Sequence, residues 1–116
     1  MINKFLIGGY IESDFDNLLK LLKGVLNASK LRDRYASDVE RTILYNSDVL
    51  DIYIYEAKED YFIFDASYNG SLEEVSAFMN ALGENLSNLK YEFDWRKVDE
   101  DDNEIGEEFE MKSTDG

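Results

Sequence analysis

The sequence predicts an α+β domain of two layers, a mainly antiparallel sheet of five or six strands with two helices on one of its faces. Three observations lead there. Two segments repeat apolar residues at three- and four-residue steps, which marks amphipathic helices. Several others alternate apolar and polar residues with a period of two, which marks strands with one buried face. The order is strand, helix, strands, helix, strands. Helices with one apolar stripe and strands with one apolar face need a single shared core, so both helices belong on the same side of the sheet.

The elements follow in order. Lys4 to Ile11, KFLIGGYI, reads as a buried strand whose Gly8-Gly9 pair marks a bulge or a close backbone approach. SDFDNLLKLLKGVL follows as a helix. Ser13 and Asp16 resemble a capping box, and Phe15, Leu18, Leu19, Leu22, Val25 and Leu26 form one stripe. KLRDRYASDVE, residues 30–40, has no clear period and reads as the helix tail and a loop. RTILYN is a short strand, NSD a turn, and VLDIYIYEA a longer strand. In it Leu50, Ile52 and Ile54 face one way and Asp51, Tyr53 and Tyr55 the other. KED turns into the strand YFIFDASY. Ser71 and Glu74 then form a second capping box, ahead of a stripe of Leu72, Val75, Met79, Leu82, Leu86 and Leu89.

KYEFDWRKV and EIGEEFEMK close the chain as a hairpin around an acidic turn. The nearest simple arrangement resembles the ferredoxin-like βαββαβ plan with an additional C-terminal strand. Residues 1–112 are expected to form one domain and 113–116 a flexible tail.

Composition narrows the function. A chain of 116 residues with 44% hydrophobic and 14% aromatic residues suits one folded domain. Its net charge is −14, unevenly spread: residues 91–116 hold 11 acidic and 3 basic residues, whereas Lys20 to Arg41 is locally +3. Such a surface repels nucleic acid and anionic membranes and steers in basic partners. The start of the chain lacks the long apolar stretch of a secretory signal, so a cytoplasmic protein is expected. The chain contains no His and no Cys, which removes the commonest acid–base group, the thiolate nucleophile and the usual zinc ligands. No enzyme, no cofactor and no metal site is expected.

VDEDDNEIGEEFE, residues 98–110, is the nearest approach to a motif. Asp99, Asp101, Asn103 and Glu110 fall on the first, third, fifth and twelfth positions of a calcium-binding EF-hand loop. The sixth position, where that loop needs Gly to turn sharply, is Glu104, and the flanks alternate as strands rather than helices. An acidic hairpin turn is the favoured reading.

What remains is a surface of carboxylates interleaved with rings. Asp51, Tyr53, Tyr55, Glu92, Asp94, Asp99, Asp101, Asp102 and Glu104 are the expected partner-binding residues. The expected partner is a basic, nucleic-acid-handling protein such as a toxin or nuclease, held by a monomer or weak homodimer. An immunity protein or antitoxin that blocks the cleft of a toxin nuclease is the commonest physical design of this kind. The alternatives are a phage-type inhibitor that imitates DNA against restriction or CRISPR nucleases, and a self-associating adaptor domain whose acidity only solubilises it.

Overall fold

The computed structural model describes residues 3–37 and 40–113. The elements are β1 (Lys4–Glu12), α1 (Phe15–Leu22), β2 (Leu31–Ser37), β3 (Glu40–Asn46), β4 (Leu50–Lys58), β5 (Tyr61–Asn69), α2 (Leu72–Asn85), β6 (Lys90–Val98) and β7 (Glu104–Lys112). The strands form one antiparallel sheet in the order β2-β3-β4-β5-β1-β6-β7. The α+β class and the antiparallel sheet agree with the expectation from sequence.

Two details of that expectation need correction. The sheet has seven strands rather than five or six. Its order also departs from the ferredoxin-like plan: α1 leads to the outermost strand, and β2, β3, β4 and β5 meander back to the centre. The added strand is β2, in the stretch read as a loop. Residues 41–57 belong to two strands, β3 and β4, because Ser47 holds a turn between them. Its backbone N–H and its hydroxyl both donate to the Leu50 carbonyl, and the hydroxyl oxygen accepts the Leu50 N–H.

Both helices are capped by side chains, as their orphan N–H groups require. For α1 the cap is Asp14, one residue later than expected, whose carboxylate accepts the Asn17 amide at 2.8 Å. For α2 it is Ser71, in a reciprocal box with Glu74. α1 is shorter than its apolar stripe, ending at Leu22 and continuing as tight turns through Leu26. The Asn85 side-chain amide, at the end of α2, donates to the Leu21 carbonyl and ties the two helix ends together.

The core lies between the helices and one face of the sheet. Phe15, Leu18 and Leu22 of α1, with Val75, Met79 and Leu82 of α2, pack on Phe5, Ile7, Ile11, Ile52, Ile54, Phe62, Phe64 and Phe93. Each such side chain contributes about 1.5–3 kcal/mol when fully buried. β1 lies inside the sheet, next to the central β5, pairing β5 on one side and β6 on the other, with Gly9 opposite both Phe64 and Phe93. No described helix is long and apolar enough to cross a membrane. At the end of the chain, Ser113 bonds in both directions with Tyr91; the rest of the expected tail, residues 114–116, lies outside the described residues.

Candidate protein-interaction face

The pleat sends alternate residues of each strand away from the helices. Residues directly opposite in an antiparallel sheet share a face, so the ladder register writes that outer face as rows. The middle row runs Leu44, Tyr53, Asp65, Gly8, Asp94, Glu110. On one side of it lies Thr42, Tyr55, Ile63, Tyr10, Glu92, Lys112, and on the other Asn46, Asp51, Ser67, Leu6, Arg96, Glu108. Six strands at the usual spacing make this face roughly 24 Å wide.

Its chemistry is graded. The β3–β4 side holds the phenols: Tyr53 is 41% exposed, and its ring lies 5.4 Å from that of Tyr55. Tyr10 stacks on Tyr61 at 5.2 Å, and the Lys58 ammonium sits 4.8 Å from the centre of the Tyr61 ring. The β6–β7 side holds the acids. Among the described residues no cation lies within 4 Å of Asp65, Glu92, Asp94, Glu108 or Glu110. Glu108 feels the crowding most. A hydrogen bond shared with Asp94, partial desolvation, and the negative charges of Asp94, Glu104 and Glu110 raise its pKa above the ordinary carboxylate value. Gly8 leaves the centre of the middle row without a side chain: a Cβ there would touch Asp94 Oδ1 at 3.4 Å. A shallow cleft follows, lined by Gly8, Gly9, Tyr10, Glu92, Asp94 and Glu110.

The residues expected from sequence divide into two groups. Asp51, Tyr53, Tyr55, Glu92 and Asp94 lie together on this face. Asp99, Asp101 and Asp102 lie in the β6–β7 turn, and Glu104 opens β7 beside it. The turn uses two of its own acids internally. Asp99 accepts the backbone N–H groups of Asp101 and Asn103, both at 2.9 Å, and those bonds lower its pKa, the Asn103 bond most. Asp102 takes a left-handed backbone, φ 63°, and pairs with Lys4 at 2.8 Å. Residues 98–110 are therefore strand, turn and strand. Among the described residues no group of three or more acids is placed to hold a metal ion.

Tyr10 and Asp65 belong to the face although sequence reasoning passed over them. Asp65 carried a usable signal, since it interrupts Phe62, Phe64 and Ala66 at the polar phase of the alternation. Tyr10 did not, because KFLIGGYI reads as apolar on both faces. Compared with protein-family models, curated proteins and solved structures, the chain matches none.

Proposed function

We propose that this protein is a small acidic binding module that neutralises a basic, nucleic-acid-handling partner by covering its active cleft, as an immunity protein or antitoxin does to a toxin nuclease. The observation that carries the reading is the helix-free row Tyr53, Asp65, Gly8, Asp94, Glu110. It puts ring surface beside carboxylates that have no cation within 4 Å among the described residues. Such acids are poised to receive arginine and lysine in the places a phosphate backbone would take, while the phenols supply contact area at low entropic cost. The acids of this face outnumber its two cations, Arg96 and Lys112, and such a net negative charge speeds encounter with a positively charged partner. The same charges oppose docking of this face on a second copy of itself, which weighs against the adaptor reading.

The test is a low-salt capture with the tagged chain and with the triple variant Asp65→Asn, Asp94→Asn, Glu110→Gln, followed by a nuclease assay of whatever the wild type retains. The expected result is a basic nuclease silenced by one equivalent of the chain, with association slowed about tenfold or more in the variant at low salt. A captured partner that associates equally fast with both chains overturns the assignment of this face. A companion variant, Asp99→Asn with Asp101→Asn and Asp102→Asn, measures the turn separately.

A further inference from the structure

We propose that the free edge of β7 takes up an extended segment of the partner as an eighth strand, one that alternates Lys or Arg with apolar residues. The inference rests on the basic-partner reading above and adds to it where and in what conformation the partner is held.

β7 ends the sheet, and among the described residues no strand pairs with its far side. The Ser113 amide donates to the Tyr91 carbonyl at 3.0 Å, and the register is unbroken from Glu92↔Lys112 to Arg96↔Glu108. Strict alternation along an antiparallel ladder then turns the backbone groups of Lys112, Glu110 and Glu108 outward. Those groups are the template that strand addition uses.

The two sides of this edge differ in chemistry. On the outer side stand Glu108 and Glu110, with Asp94 behind them. On the helix side Ile105 is 42% exposed, while Phe109 and Met111 pack against the core only in part. A cavity of about 260 Å³ opens there among Phe5, Leu72, Lys97, Ile105, Gly106 and Phe109, and Leu72 is itself 44% exposed. A strand laid on β7 would point successive side chains to these two sides in turn. Its basic residues would meet Glu108 and Glu110, and its apolar ones would cover Phe109 and Ile105 and enter the cavity. A second copy of β7 fits less well, because antiparallel overlap of Glu108 to Lys112 sets Glu110 against Glu110, and a shifted register sets Glu108 against Glu110. At Gly106, φ 95° with open space around it, β7 leaves its regular register. The stretch available for pairing is therefore Glu108 to Lys112.

The experiment uses the full chain, ¹⁵N-labelled, and a capped peptide of about seven residues alternating lysine and valine. The expected result is amide shifts along residues 104–112 and slowed exchange of the Glu108, Glu110 and Lys112 amides. A peptide of the same composition with lysines and valines in separate blocks should bind about tenfold more weakly. Glu110→Pro removes one outward N–H without touching the β6 ladder and should weaken binding about tenfold, whereas Glu110→Gln, which keeps the amide, should weaken it only about twofold. If the proline variant misfolds, Ile105→Ser provides the same comparison from the helix side. Equal binding by the proline and glutamine variants, or by the blocked peptide, overturns the inference. Shifts confined to the rows around Gly8 and Tyr53 overturn it while leaving the basic-partner reading intact. No shift anywhere removes both. Protection of the β7 amides without peptide, in a chain that sediments as an oligomer, makes a second copy the occupant and also overturns it.

Discussion

Phe64 and Phe93 touch edge to face, ring centroids 5.0 Å apart, although the strands that carry them are not neighbours. β1 runs between them and presents Gly9 at that level, opposite both rings. Two strands one strand removed stand roughly 10 Å apart, too far for rings to meet across a side chain. The absent side chain is thus a packing requirement. A Cβ on Gly9 would collide with the Glu92 carbonyl oxygen and lie 2.8 Å from a Phe93 ring carbon. Gly9→Ala is therefore expected to destabilise the fold by about 3 kcal/mol, read as a lower urea midpoint at unchanged slope.

The cap of α2 gives a second expectation. Ser71→Ala removes the hydroxyl that accepts the Glu74 amide at 3.1 Å and should cost about 1 kcal/mol in urea denaturation. Glu74 reaches back to the Ser71 amide, and that bond lowers its pKa from the ordinary value of 4.5. A depressed carboxylate stabilises the folded state above its unfolded pKa and loses that contribution as pH falls through the folded one. The capping contribution of Glu74 should accordingly be complete at pH 7 and be lost progressively as pH falls below the ordinary value of 4.5.

Glu108 has the opposite sign. Its raised pKa means that the folded chain holds this proton more tightly than the unfolded chain does, so the ionised group opposes folding. Glu108→Gln should raise the urea midpoint at pH 7, and the gain should vanish as pH falls below the ordinary carboxylate range, where the wild-type group is protonated in both states. A gain that is independent of pH would mean that packing, not charge, separates the two chains.

Trp95 lies in the core, 7% exposed, with its ring stacked on Phe109 at 5.8 Å. Among the described residues no group accepts a hydrogen bond from its indole N–H. Trp95→Phe gives up ring area but also removes a buried donor whose desolvation costs about 1–3 kcal/mol. The two effects should leave stability within about 1 kcal/mol of wild type by circular dichroism, whereas Trp95→Ala should lose about 4 kcal/mol.

Much of the fold was legible because its elements advertise themselves locally. Ser71 with Glu74 announced the start of α2, and the alternation in VLDIYIYEA placed Asp51, Tyr53 and Tyr55 opposite Leu50, Ile52 and Ile54. β2 was hidden because it is an edge strand: Arg32, Asp33 and Arg34 blur the alternation, and an edge tolerates that. The order of strands was hidden for a different reason. It depends on which distant segments pair, and a period of two carries no address. The candidate face shared that difficulty, since Asp65 of β5 and Asp94 of β6 flank Gly8 only because β1 enters between their strands.

The interior position of β1 bears on how the chain acquires its structure. The strand ends at residue 12, while the two partners that flank it begin at residues 61 and 90. The groups that face β5 therefore stay open to water, or to other chains, until residue 69 has been made, and those that face β6 until residue 98. Such high-contact-order assembly is slow, and a nascent chain halted before β6 would expose one whole flank of β1 as an aggregation template.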